Sequence, residues 1–170
     1  AYYSGFLSGN AALRKVGEGT LDLDQTNSYS GEIKIKDTSY TVGTLVEAGT
    51  LRLRGWGTVG SGAVQVNAGS SLMLTYIGGY GEDETKSLAN DIYLCGNGDE
   101  QWKAHDSTSK QTAALISTVG RSVTFTLSGN IHGDGGVLHS GEGTLVLCGD
   151  SSYTGGTVIT RGVVEVQSAT

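Results

Sequence analysis

The chain contains no proline, only two cysteines and one methionine, and charged residues fill just 16% of its 170 positions, against the usual quarter or so. Each shortage excludes something. Without proline there is no polyproline linker and no collagen-like segment. Two cysteines are too few for the disulfide framework that staples a small domain lacking a core. Sparse charge removes the self-repulsion that keeps disordered tails open. The 11 Lys and Arg against 17 Asp and Glu, a net charge of −6, leave no basic face for nucleic acid and no electrostatic attachment to anionic lipid. No run approaches the roughly eighteen apolar residues of a membrane helix, so this segment is not expected to insert directly into a bilayer. The N-terminal Ala1-Tyr2-Tyr3-Ser4-Gly5 has no initiator Met, basic region or apolar signal core, and the chain reads as a mature or excised piece of something longer.

What is abundant is glycine, with 28 copies where about 7% of residues is ordinary. The glycines do not form runs; they punctuate short apolar pieces. In Leu21-Asp22-Leu23-Asp24, Leu51-Arg52-Leu53-Arg54 and Val64-Gln65-Val66-Asn67, apolar side chains alternate with polar ones, as in a strand with one buried face. The strand-favouring residues Val, Ile, Leu and Thr dominate these pieces. No helical period is evident.

Internal repetition decides the architecture. Gly17-Glu18-Gly19-Thr20-Leu21-Asp22-Leu23 returns as Gly141-Glu142-Gly143-Thr144-Leu145-Val146-Leu147, at an offset of 141 − 17 = 124. The match runs upstream to Gly5 and Gly129 and downstream to Ile35 and Ile159. Beyond that it resumes at a shorter offset, Gly49 against Gly162, which locates an insertion in the first copy near residues 36–44. The copies span residues 5–53 and 129–166. Inside them runs a rhythm of about twenty residues, the length of one solenoid coil: Val46-Glu47-Ala48-Gly49 is echoed by Val66-Asn67-Ala68-Gly69. A single coil buries one face of each strand and cannot fold alone, whereas stacked coils share a continuous core. The expected fold is an all-β parallel β-helix over residues 1–170, one domain, with loop insertions near 76–87 and 97–112. A β-sandwich would also show short alternating strands, but not a twenty-residue rhythm or a long stretch repeated at a fixed offset.

These residues resemble a known family. Glu142-Gly143-Thr144-Leu145-Val146-Leu147, followed by Gly149, Ser152-Tyr153-Thr154-Gly155-Gly156-Thr157 and Gly162, is similar to the autotransporter passenger-associated β-strand repeat. Segments 57–74, 88–94 and 127–131 resemble further coils of the same family. The resemblance implies a right-handed β-helix in the exported, cell-surface part of a large bacterial protein, acting in adhesion, aggregation or display. Two departures stand out: cysteine is unusual in such passengers, and Glu32 stands where the second copy has Gly156.

Candidate sites are few. Cys95 and Cys148 share a local setting, Leu-Cys-Gly followed by Asn97 or Asp150. Equivalent positions on adjacent coils would lie about 4.8 Å apart, within disulfide reach; two unlinked thiols on different coils or faces are the other reading. Asp22 and Asp24 share a strand face, but the second copy has Val146 and Cys148 there, so a solvated face is expected, with no arginine placed as a base. His132, Asp134 and His139 match no metal-ligand spacing and read as surface residues. His105, Asp106, Ser107 and Ser109 resemble a triad only by residue type. No catalytic residue, metal or cofactor is expected. Trp56 reads as a corner residue packed on its neighbour. The irregular stretches carry Tyr76 and Tyr80, and Trp102 and His105; loops on a rigid scaffold often carry recognition, and exposed aromatics anchor sugars or protein partners. The expectation is a non-enzymatic, extracellular spacer and interaction surface with a protein or glycan partner, or self-association through the solenoid ends or flanks. A head-to-tail filament subunit and a carbohydrate-binding or carbohydrate-cleaving module are the alternatives.

Overall fold

The computed structural model describes residues 1–76, 84–96 and 114–167. The alternating pieces become short strands that stack on three faces, and the described residues contain no helix. The first face is built from β2 (Leu13–Lys15), β6 (Thr44–Val46), β8 (Val64–Asn67), β11 (Ile92–Cys95) and β14 (Ile131–Gly133). The second holds β1 (Tyr2–Tyr3), β3 (Thr20–Leu23), β7 (Thr50–Arg54), β9 (Ser71–Thr75), β12 (Ala114–Ser117), β15 (Gly136–His139) and β17 (Thr157–Ile159). The third holds β10 (Glu84–Leu88), β13 (Val123–Leu127), β16 (Thr144–Leu147) and β18 (Val163–Val166). All these neighbours pair in parallel, each strand with its counterpart one coil on, which makes the molecule a parallel β-helix. The minimal coil is close to the expected twenty residues: Thr44 pairs with Val64, and Thr144 with Val163.

Parallel register with a side-chain period of two puts like on like. On the second face Leu21, Leu51, Leu72, Leu115 and Val137 form one inward column; the middle three and Val137 are fully buried. On the first face Thr44, Val64, Ile92 and Ile131 form another. Each fully buried Leu, Ile or Val contributes about 1.5–3 kcal/mol, and every coil depends on its neighbours for that burial. Gly133 shows why glycine sits at a corner: its φ is 103°, and a Cβ there would run into the Leu94 carbonyl, so only glycine lets the coils close.

The second inward column of the second face changes character midway. It runs Leu23, Leu53, Leu74, Ser117, His139 and Ile159. His139 is fully buried; its Nδ1 lies 3.2 Å from Ser117 Oγ and its Nε2 3.1 Å from the Gly143 carbonyl. That corrects the expectation of a surface histidine. The reason is parity, since His139 lies two residues past Val137 and shares its inward face.

The third face starts late. In the first two coils its place is taken by corners that stack through single backbone bonds, Thr58 N to the Gln25 carbonyl (3.1 Å) and Ser61 N to the Tyr29 carbonyl (2.9 Å). Among the described residues β10 is therefore an edge strand. Lys86 lies on the inward column with Phe125, Leu145 and Val164. Its ammonium sits 2.8 Å from the ring centre of Trp56 and 4.7 Å from that of Tyr76, with Glu84 3.9 Å away. An inward-pointing charge is a native device against unwanted pairing at a sheet edge, and the two rings compensate its partial burial. Residues 84–87, expected within an insertion loop, are thus a regular rung.

The two repeat copies do not superpose face on face. Thr20–Leu23 and Thr50–Arg54 of the first copy lie on the second face, while Thr144–Leu147 and Val163–Val166 of the second lie on the third. The offset of 124 residues is therefore not a whole number of coils. The insertion in the first copy is the antiparallel hairpin β4 (Ile33–Lys34) and β5 (Thr41–Val42), whose turn places Asp37 at φ 61°.

Candidate functional site

That rotation by one face disposes of the disulfide. Cys95 ends β11 on the first face and Cys148 follows β16 on the third; both are free thiols. Matching local sequence is not matching position in the solenoid.

The chemically richest surface is the outer side of the first face. There the register aligns Arg14, Leu45, Gln65, Tyr93 and His132 from successive coils. The hairpin brings Tyr40 over this row. Tyr40 stacks on Tyr93 with ring centres 4.1 Å apart and planes 7° from parallel, and Tyr93 stacks in turn on His132 at 5.1 Å. The Tyr40 hydroxyl donates to Gln65 Oε1 (3.0 Å), and Gln65 Nε2 donates to Asn67 Oδ1 (2.8 Å). His132 Nδ1 lies 2.9 Å from Ser152 Oγ. Burial, with Cys95 Sγ 3.9 Å away, pushes the Tyr40 phenol up to about 12, so it stays a neutral donor. Burial likewise raises the Cys95 thiol, with Asp134 adding to the shift and the Tyr40 hydrogen bond opposing it, which leaves Cys95 a poor nucleophile.

Next to this stack, the hairpin and the first face enclose a cleft of about 520 Å³ lined by Ala12, Arg14, Ile33, Lys34, Ile35, Lys36, Leu45, Gln65 and Asn67. Arg14 Nε and Nη2 donate to the two Glu47 carboxylate oxygens at 2.6 and 2.8 Å, a bidentate pair that holds the Glu47 carboxyl below its usual range. Lys34 and Lys36, by contrast, are exposed at the mouth of the hairpin. A second cleft of about 760 Å³ is lined by residues 27–28, 58–63 and 87–91. Its two asparagines already serve the fold: Asn27 Nδ2 donates to the Gln25 and Thr58 carbonyls, and Asn90 Nδ2 to those of Gly60 and Gly62.

The residues singled out from sequence fare unevenly. Tyr76 is buried, and its hydroxyl bonds Glu84, so it closes the β10 edge instead of standing free for a ligand. Trp56, expected to pack at a corner, is 66% exposed and rests against Lys86. Tyr80, Trp102 and His105 lie outside the described residues, as do Asp106, Ser107 and Ser109. Asp22 is not solvated: Arg52, directly opposite in the register, donates Nε and Nη2 to its two oxygens at 2.7 Å each, and Arg54 adds a longer contact of 3.7 Å. The Arg52 hydrogen bonds hold the Asp22 carboxyl below its ordinary range. Asp24 accepts from the Tyr2 hydroxyl. Among the described residues no cluster of His, Cys, Asp and Glu is disposed to hold a metal. Sequence reasoning passed over Tyr40, Tyr93, Lys34 and Lys36. The available signal was that the insertion at 36–44 carries an aromatic and is entered through two lysines, Lys34 just before it and Lys36 at its start.

Stacked coils, in-register apolar columns and outward polar rows define the class as a β-helical repeat segment. Residues 13–53 and 140–166 match the passenger-associated-transport-repeat, so these two stretches of the chain are similar to that repeat. It is also 34% identical over 164 residues to the adhesin BmaC autotransporter of Brucella suis biovar 1 (strain 1330). That alignment covers 96% of this chain and 4% of the relative, so the chain spans a small fraction of the curated protein it matches. No solved structure matches the chain. Both findings identify a segment of the exported, cell-surface kind.

Proposed function

We propose that this chain is a non-catalytic, rigid spacer in the passenger of a cell-surface adhesin, and that it carries an interaction surface on the outer side of its first face. The observation that carries the reading is the unbroken parallel register along the second face, β1-β3-β7-β9-β12-β15-β17. With a buried column beneath it, such a ladder bends and stretches little, which suits a part that holds other parts away from the membrane. The outer aromatic stack supports the second half of the proposal, because a rigid scaffold pre-organises the rings and a partner bears less ordering cost.

The adhesin named among the relatives is consistent with this role. The test uses the full-length parent protein displayed on bacteria. Tyr40→Ser combined with Tyr93→Ser should leave surface display intact, as read by an antibody to a distant epitope, and should lower attachment to host cells or matrix severalfold. Unchanged attachment at equal display would remove the interaction surface from the proposal and leave only the spacer.

A further inference from the structure

From the cleft under the β4–β5 hairpin we infer a binding site for an anionic saccharide, one bearing carboxylate or sulfate groups; the inference rests on the reading of the first face as an interaction surface and names its ligand class. The chain carries a net charge of −6, yet three cations and no carboxylate line this cleft of about 520 Å³. Arg14 is neutralised by Glu47, so the uncompensated charge is that of Lys34 and Lys36. Neither ammonium makes a hydrogen bond or ion pair among the described residues. A concave mouth focuses such charge on an approaching anion, and the volume falls within the range of small-ligand sites.

The other lining groups favour a sugar over an acidic peptide. The floor is the outer side of β6 and β8, and each of these strands is paired on both edges. Their backbone groups are therefore committed to the rungs, and a peptide could not add itself there as a strand. Recognition falls to side chains. Gln65 and Asn67 form an amide pair in which the Asn67 amide nitrogen remains available, suited to a hydroxyl. Ile33 and Ile35, half-buried in the cleft wall, provide an aliphatic patch for a sugar ring face. The Tyr40 hydroxyl fixes the orientation of Gln65, so the amide row is set before any ligand arrives.

The experiment measures binding of the folded segment to four probes: a heparin hexasaccharide, an oligogalacturonate, a neutral maltohexaose and poly-glutamate. At low salt the two anionic saccharides should bind and the other two should not, with affinity falling as salt rises. The response to oligogalacturonate alone or to heparin alone distinguishes a carboxylate site from a sulfate site. Lys34→Gln with Lys36→Gln should weaken binding at least tenfold, whereas Arg121→Gln with Arg161→Gln, on a distant surface, should leave it unchanged; circular dichroism checks that both variants fold. Equal loss in both pairs, equal binding of poly-glutamate, or no binding of either anionic saccharide would each overturn the inference. A cell-attachment defect on Tyr40 and Tyr93 substitution without saccharide binding would leave the adhesive surface standing and reject only its ligand.

Discussion

The buried Ser117–His139 pair offers a sharp test of the solenoid core. His139 is fully buried, as is Ser117, and both imidazole nitrogens have partners. Because Nε2 faces a carbonyl, which only accepts, it carries the proton; Nδ1 then accepts from the Ser117 hydroxyl. Replacing Ser117 with Ala strips Nδ1 of its donor and leaves one buried acceptor unsatisfied, at about 1–3 kcal/mol. Replacing His139 with Leu restores an apolar column below Ile159 but abandons both the Ser117 hydroxyl and the Gly143 carbonyl, at about 2–4 kcal/mol after the apolar gain. The double variant abandons only the Gly143 carbonyl, because the two apolar replacements together would continue the Leu23-Leu53-Leu74 column. Its cost should fall about 2–3 kcal/mol short of the sum of the single costs, because neither the imidazole Nδ1 nor the Ser117 hydroxyl is left stranded. Urea unfolding followed by far-ultraviolet circular dichroism, with m-values compared across the four proteins, reads the coupling. Additivity within about 0.3 kcal/mol would refute the paired geometry.

Other tests follow from named contacts. Acidification should erode stability as the carboxyl of Asp22 protonates. Its native pKa is depressed by Arg52, so the contribution is fully present above the unfolded value near 3.9 and lost as pH falls through the lower native value. Asp22→Asn should cost about 1–2 kcal/mol at pH 7 and flatten the melting temperature between pH 5 and pH 2, roughly the window of that titration; an unchanged slope would count against the pair. Gly133→Ala should destabilise by more than about 2 kcal/mol, since strain at positive φ adds to a backbone clash. Gly9→Ala, also at positive φ but with open space around it, should cost about 1 kcal/mol; equal losses in thermal melts would contradict the corner packing. Both cysteines should react with a thiol probe without prior reduction, Cys95 more slowly because burial raises its pKa; a protein with no titratable thiol would restore the bridge.

The fold was legible because a coil leaves two independent marks on a sequence. Alternation in Leu51-Arg52-Leu53 and Leu72-Met73-Leu74 identifies half-buried strands, and the spacing between them identifies coils. Side chains that meet along the solenoid axis are a different matter, because contact there depends on coil length, and coil length varies. Asp22 and Arg52 occupy the same place in Thr-Leu-Asp-Leu and Thr-Leu-Arg-Leu, so their ion pair is legible in the repeat, whereas the longer offset sets Val146 against Asp22 and hides it. Cys95 and Cys148 show the opposite error, where like neighbours implied contact between residues on different faces.

The Tyr40–Tyr93 stack was beyond reach for a further reason. Tyr40 belongs to an insertion, so no repeat aligns it, and it reaches Tyr93 only because the β4–β5 hairpin folds back along the outer face past Gln65. Coils specify their own interior through period and spacing, while an inserted hairpin specifies an exterior site through its direction of travel, which no period records. In a β-helix that departure from the repeat is where a distinct surface can arise without disturbing the core. The regular rungs buried beneath Gln65 and Tyr93, with Val64, Val66, Ile92 and Leu94 at or near zero exposure, hold the outer row in place whatever the hairpin presents above it.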